Sequence, residues 1–422
     1  LHPETVDHQV RKAFYIARTE SRPVLLSCPR DIQQKPFEDD DEPYQPSTTL
    51  LPKTKAAANP AAIAEAADVI SKAKKVVVIV GRGAIWSKAG EAATRLAERT
   101  GALLATTMQA KTFLAEHPYH VGMAGQLGTR TALRLFADAE VVIGIGASMN
   151  SNTLSNGYIF PNAKYIHLDI QQQRMLGYDK VADIYIHADA RLGTEALETE
   201  LAKRGVQHTG YRTPEVKQQL VDNFKDPGVF EVEPGLLDPR EVCNVLDEII
   251  PTDFVVHSGS GTTGFFSVMN INRPRLFMGG KFFACMGQSL PSAIGAAAAL
   301  GRPVMLVEGD GSTMMHLAEL ETAVRHRLPL LTVVLNDQAL GSEYHKYQVH
   351  KLDPQLATCG TPDLGEVMRA FGGKGTLATS IEQVRKAAKE WVANPVPTVI
   401  DARISRKVLT IPHRRVHLAE DV

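Results

Sequence analysis

Cysteine is scarce in this chain. Its 422 residues hold four (Cys28, Cys243, Cys285, Cys359), none of them in a CxxC pair. That excludes a disulfide framework and a zinc ribbon, and it reads as reduced thiols in a cytoplasmic protein. An excess of one charge is also missing. Lys plus Arg number 46 and Asp plus Glu 47, a net charge of −1, without the basic balance a general nucleic-acid binder needs. No apolar run reaches the ~18 residues of a membrane span. The best candidate, 290–300, is short and rich in Ala and Gly. Short-period repeats are absent. What remains is 44% hydrophobic and 22% charged, an ordinary globular composition with chain for about three domains.

The chain opens on Leu1 rather than Met. Residues 4–20 predict a helix, with Val6, Val10, Phe14 and Ile16 on roughly one face. Residues 23–28 predict a short strand ended by Pro29. One helix and one strand cannot bury a core, so residues 1–35 read as the end of an α/β domain. Residues 36–60, rich in Pro, Asp, Ser and Thr, read as a linker. From 61 to 205 helices (61–73, 87–100, 129–137) alternate with apolar strands (75–80, 103–107, 141–145, 165–169), the pattern of a buried parallel sheet. A second polar connector runs from 206 to 235. From 236 to 405 the alternation resumes, with strands at 253–257, 303–308, 330–336 and 398–401. Helices are expected near 239–249, 290–300, 315–327, 363–371 and 381–393. The fold class is therefore α/β: two doubly wound parallel-sheet domains plus the tail of a third. The basic tail, 406–422, reads as a solvated end or a lid.

The stretch richest in chemistry is Val307-Glu308-Gly309-Asp310-Gly311-Ser312-Thr313. A strand ends at Glu308, at the edge where open α/β sheets bind ligands. Gly309 and Gly311 let the backbone turn sharply and approach a ligand. Backbone N–H groups near Ser312 and Thr313, at the next helix start, can hold a phosphate. One αβ crossover later, 26 residues on, Asn336 returns to the same edge. A carboxylate, an amide oxygen and a nearby carbonyl make a hard oxygen site suited to Mg²⁺. The alternative is a Gly-Asp-Gly turn with a capping Asn.

The stretch GDGSTMMHLAELETAVRHRLPLLTVVLND (309–337) resembles the signature of thiamine-diphosphate-dependent enzymes. CMGQSLPSAIGAAAAL (285–300) and HSGSGTTGFF (257–266) resemble that family's cofactor-bending and diphosphate loops. GRGAIWSKAGEAATRLAERTGALLATT (81–107) and HLDIQQQRML (167–176) resemble the central domain of its acetolactate-synthase-like group. SRPVLLSCPRDIQ (21–33) resembles the end of its pyrimidine-binding domain. The resemblance implies Mg²⁺ on Asp310, Asn336 and the Gln338 carbonyl. It implies thiamine diphosphate against Gly261, Thr262, Thr263, Met286, Gly309, Asp310, Gly311, Ser312, Asn336 and Gly341. It also implies active sites between the subunits of a homodimer or homotetramer. The family's activating Glu lies in the pyrimidine domain. No residue here matches it, so the chain alone is expected to be inactive or nearly so.

The central domain of such enzymes binds FAD or ADP. Gly81, Gly83 and Ala84 can cradle a phosphate there, and Asp169 can reach a ribose. Ser148 stands where FAD-binding relatives often have Arg. The loop after the metal site, 339–347, is the expected substrate loop, with Glu343 and His345 as candidate acid and base. The implied activity is a C–C lyase or carboligase acting on a small molecule, a 2-oxo acid. The alternatives are a 2-hydroxyacyl-CoA lyase or oxalyl-CoA decarboxylase acting on an acyl-CoA, and a non-catalytic cofactor-binding subunit.

Overall fold

The computed structural model describes residues 2–37, 43–52, 54–171, 176, 180–221, 223–279, 283–418 and 420. It contains two six-stranded, wholly parallel sheets with helices on both faces. The first comprises β1 (Val76–Val80), β2 (Leu103–Thr106), β3 (His120–Met123), β4 (Val141–Ile145), β5 (Lys164–Asp169) and β6 (Ile184–His187), in the order β3-β2-β1-β4-β5-β6. The second comprises β7 (Val255–Ser258), β8 (Leu276–Gly279), β9 (Val304–Gly309), β10 (Leu330–Asn336), β11 (Lys374–Ala378) and β12 (Thr398–Arg403), in the order β11-β12-β10-β9-β7-β8.

Both sheets follow from burial on two faces. Successive side chains of a strand point to opposite sides. Val76, Val78 and Val80 enter one apolar core, and Val77 and Ile79 enter another. Likewise Leu331, Val333 and Leu335 pack on one face of the second sheet, Leu330 and Val334 on the other. A strand covered on both faces must be apolar throughout. The strand order reverses between β1 and β4 in the first sheet and between β7 and β9 in the second, where β12 also turns back to lie between β10 and β11. These are the switch points where such sheets open a crevice at their carboxyl ends.

Several expectations are corrected. Residues 23–28 form no strand. They have no ladder partner in the described chain, and Leu25 is 94% exposed. The helix expected at 87–100 is present as Gly90–Thr100, and that at 315–327 as Glu319–Arg325; each is preceded by a short helix that was not expected, Arg82–Trp86 and Asp310–Met315. The expected loops at 257–266 and 339–347 each run into a helix, Gly261–Asn270 and Gly341–Val349. The connector 206–235 contains helix Pro214–Leu220 and buries Tyr211, whose hydroxyl donates to the Leu135 carbonyl.

The basic tail is not a solvated end. Its helix, Ile411–Leu418, is docked: Arg414 is buried against Asp226 (3.1 Å), and Arg415 donates to the carbonyls of Gln126 and Gly128. This helix and residues 111–112 hold the two sheets together. No helix among the described residues is long and apolar enough to cross a membrane.

Candidate active site

Strand β9 carries Gly309 to the edge of the second sheet, and Asp310 opens the short helix Asp310–Met315. Beside it, across the switch point, β7 ends at Ser258 and helix Gly261–Asn270 begins. From β10 the chain turns through Asn336–Leu340 into helix Gly341–Val349. The three helix starts border one cavity of about 50 Å³. The structure brings Gly261, Thr262, Thr263, Met286, Gly309, Asp310, Gly311, Ser312 and Gly341 together on its walls.

The N-cap residues of these helices, Ser260, Gly309 and Leu340, make no side-chain cap hydrogen bond. The first N–H groups of a helix have no partner within it, and their dipoles favour negative charge. Three such starts around one cavity can offer N–H donors to an anion. Glycine keeps the cavity open. A Cβ on Gly311 would meet Leu340 Cδ2 at 2.9 Å and Met286 Cε at 3.4 Å, and one on Gly341 would meet the Asp337 carboxylate at 2.5 Å.

Against these helix starts lies a pair of buried carboxyls, Asp310 and Asp337, with Arg406 the cation acting on Asp337. Asp310 is 1% exposed, and its Oδ2 has no hydrogen-bond partner among the described residues. Burial, with the Asp337 carboxylate nearby, pushes its pKa up to about 7. Burial likewise holds Asp337 near 6. Asn336 is clamped: its Nδ2 donates to Asp401 Oδ1 (2.9 Å), and its Oδ1 accepts from the Gln338 N–H and the Thr361 hydroxyl (both 3.1 Å). Gln338 sits at φ +55°, and its carbonyl accepts from the Cys359 N–H at 2.9 Å.

The sequence matches two family models, described as "Thiamine pyrophosphate enzyme, central domain" over residues 63–197 and "Thiamine pyrophosphate enzyme, C-terminal TPP binding domain" over 258–402. Together they cover more than half of the chain. The chain belongs to the thiamine-pyrophosphate enzymes. It is similar to a probable acetolactate synthase large subunit of Methanocaldococcus jannaschii, at 28% identity over 94% of this chain and 69% of that protein. It is 29% identical to the acetolactate synthase large subunit of Corynebacterium glutamicum, over 95% of this chain and 66% of the relative. It is 28% identical to a sulfoacetaldehyde acetyltransferase of Castellaniella defragrans, over 100% and 74%. The chain spans about two thirds of the length of these relatives.

The residues fit the family's groups. A thiamine-pyrophosphate enzyme must hold a diphosphate, and the three open helix starts offer its oxygens N–H donors. A divalent cation would relieve the bare Asp310 Oδ2. The Gln338 carbonyl keeps a lone pair for it, and Asn336 Oδ1 would exchange the Thr361 hydroxyl for it. This donor set is hard oxygen, as Mg²⁺ requires. It is not a His or Cys cluster: among the described residues no group of three His, Cys, Asp or Glu could hold a metal.

Beneath this enzyme's cavity lies a network that motif reading missed. Glu308, fully buried, accepts from the hydroxyls of Ser312 (2.8 Å) and Thr313 (3.3 Å). Ser312 Oγ in turn accepts from the Gly287 N–H at 2.9 Å, next to Met286. Burial raises the Glu308 pKa to about 7. The signal was an acid immediately before the Gly-Asp-Gly turn, at the end of an otherwise apolar strand. Asp337, Thr361 and Asp401 were also missed, and only Asp337 adjoined a motif residue.

The two acid–base candidates part ways. Glu343 lines the cavity mouth and pairs with Lys346 at 3.3 Å. His345, two residues on, lies about 200° around the helix. It is buried away from the cavity, its Nε2 2.8 Å from the Arg406 carbonyl and its ring 5.0 Å from that of His413. Burial lowers its pKa, so it sits neutral and ties this helix to the C-terminal segment.

The nucleotide candidates are packed differently. A Cβ on Gly81 would lie 2.3 Å from the Gly146 carbonyl oxygen, and one on Gly83 2.9 Å from Gly146 Cα. The Gly83 N–H donates to that carbonyl and the Ala84 N–H to that of Gly81. Asp169 Oδ1 accepts from the Gln171 N–H in its own turn. These residues are engaged with one another. Of the segment 167–176, residues 172–175 lie outside the described residues.

Proposed function

We propose that this chain is part of a Mg²⁺-dependent carboligase or lyase acting on small 2-oxo acids, in the manner of the acetolactate synthases it resembles. The observation that supports the reading is the buried, unpartnered Asp310 Oδ2 beside three helix starts without side-chain caps, donors for a diphosphate next to an oxygen ligand for a cation. When bound, thiamine diphosphate supplies a nucleophilic carbon and an electron sink for bonds next to a carbonyl. The residues here position that chemistry. Helix starts at Gly261 and Gly341 take the phosphate oxygens. Asp310, Asn336 and the Gln338 carbonyl take Mg²⁺ between them. Met286 and Leu340 form an apolar wall that excludes water, and Glu343 faces the substrate at the mouth. We place the enzyme in the cytoplasm as a homodimer or homotetramer, with active sites shared between subunits.

The test is calorimetric titration of thiamine diphosphate with and without Mg²⁺, on the wild type and on Asp310→Ala. Binding that needs Mg²⁺ and weakens at least ~100-fold in the variant (about 2.7 kcal/mol) supports the site. Mg²⁺-independent binding, or an unaffected variant, overturns it. Product analysis, on this chain together with a pyrimidine-binding domain that supplies the activating Glu, addresses the substrate. Acetolactate from pyruvate supports the reading, and turnover of an acyl-CoA alone replaces it with a CoA-dependent lyase.

A further inference from the structure

We propose that the joint between the two sheets holds one small monovalent anion of halide size, bound by Lys111 and His120. The site is separate from the cofactor cavity and independent of the function proposed above. Lys111 follows β2, and His120 opens β3. Both side chains line a cavity of about 20 Å³ closed on its far side by Asn272 of the second sheet's domain. That volume is room for a single water or a single halide. Lys111 is 7% exposed. Its Nζ donates to Asn272 Oδ1 at 2.7 Å and lies 5.2 Å from the Phe277 ring centroid. It therefore keeps donor capacity that the Asn272 bond does not use. His120 is 8% exposed, and its Nε2 is buried without a partner.

The charge balance favours an anion over a water. Arg275 is buried beside Lys111, with Nε and Nη1 unpartnered. The carboxylate near them is Asp247, and it is already engaged: by Arg275 Nη2 (2.9 Å), the Asn272 N–H (2.9 Å) and the Arg273 N–H (3.2 Å). Two buried cations thus share one carboxylate, and no Asp or Glu is among the described residues lining the cavity. Uncompensated buried charge is costly. Desolvation, with Arg275 opposing Asp247, brings the Lys111 pKa down to about 7, and burial with Lys111 and His117 beside it holds His120 near 3. The backbone is held to this arrangement. Thr112, a β-branched residue, sits at φ +67° while its hydroxyl donates to the Arg275 carbonyl at 2.6 Å. Strain of this kind persists only where surrounding contacts enforce it.

The test uses crystals of the full chain grown or soaked in sodium bromide, with data collected at the bromine edge. An anomalous peak between Lys111 Nζ and His120 Nε2 is expected. It should vanish in Lys111→Met and persist in Lys111→Arg. In solution, the unfolding midpoint should be higher by at least ~1 °C in bromide than in gluconate at equal ionic strength and pH. Lys111→Met should erase that difference, and so should His120→Phe, which fills the cavity without removing the ammonium. A wild-type cavity holding only water overturns the proposal. So does a bromide peak equally strong in Lys111→Met, and so does a wild-type midpoint indifferent to the anion. The wild-type measurements decide the matter even if a variant fails to fold.

Discussion

At the switch point of the first sheet, between β1 and β4, three glycines stack backbone on backbone. Gly81, Gly83 and Gly146 leave no room for a single Cβ between them. At the switch point of the second sheet, between β7 and β9, the same kind of winding leaves a cavity with Gly261, Gly309 and Asp310 on its walls. Both crevices arise from parallel strands diverging to opposite sides. The topology offers a crevice twice, and the residues pack the loops together at one and leave a cavity at the other. Glycine does opposite work in the two places. In the first sheet it brings loops into contact; in the second it frees helix starts and makes space for a carboxylate.

The largest effect that would sharpen this contrast comes from one methyl group. Gly81→Ala puts a Cβ 2.3 Å from a backbone oxygen and 2.4 Å from Ala147 Cα. Neither atom belongs to a movable side chain, so a loss of at least ~3 kcal/mol in unfolding free energy is expected. Gly261→Ala meets open space, and its φ of +69° costs only about 1 kcal/mol. Chemical denaturation of both variants measures the difference. Equal losses would mean that the first switch point is no tighter than the second.

The next effect pairs stability against binding. Burial raises the Asp310 pKa from its ordinary value of 3.8 to about 7. The folded state therefore holds a proton that the unfolded chain releases, and stability falls as pH rises from about 4 to about 7. Asp310→Asn removes that penalty. The metal-free variant is expected to melt above the wild type at pH 8, with the gap closing toward pH 4, while Mg²⁺-dependent cofactor binding is lost. This is the stability–function opposition expected of a ligand site. Thermal melts across pH check it, and a variant less stable at pH 8 would contradict the charge argument.

A smaller effect is expected below the cavity. Glu308→Gln keeps the volume but weakens the acceptor that orients the Ser312 hydroxyl, and through it the Gly287 N–H beside Met286. Cofactor affinity should fall by about tenfold, or ~1.4 kcal/mol. The loss should be partly recovered in Glu308→Asp if the network positions the turn. Titration of thiamine diphosphate into the three proteins reads this.

The sequence showed the sheet interiors and concealed their borders. Of the nine strands expected from apolar runs, 23–28 forms none, and the other eight are β1, β2, β4, β5, β7, β9, β10 and β12, the inner four of each sheet. The four not expected, β3, β6, β8 and β11, are its edges. β6, β8 and β11 are covered less completely than the inner strands, and β3, though buried, is four residues that include His120 and Gly122, so none leaves a long apolar run. The site divides the same way. Gly309, Asp310 and Asn336 could be placed because strand ends and one crossover fix them. The helical run after Gly341 was not foreseen, so the facing of His345 was not either. Glu308 stayed hidden because its role rests on side-chain bonds to Ser312 and Thr313 and, through Ser312, to the Gly287 N–H, a link that exists only once segments 25 residues apart meet in space.

The last contrast lies within one helix. Glu343 and His345 look equally titratable in sequence, yet one faces the cavity mouth and the other the C-terminal helix. Glu343 and Lys346 form an exposed pair, so Glu343→Gln should change stability by less than ~0.5 kcal/mol. If Glu343 meets substrate, the same change should alter kcat/KM while leaving thiamine diphosphate affinity untouched. His345→Ala should do the reverse. It removes the bond to the Arg406 carbonyl and a buried ring, so stability should drop by about 1–3 kcal/mol while cofactor affinity holds. Denaturation midpoints and steady-state kinetics on the two variants separate the roles. A His345 variant that is fully stable but kinetically altered would return that residue to the active site.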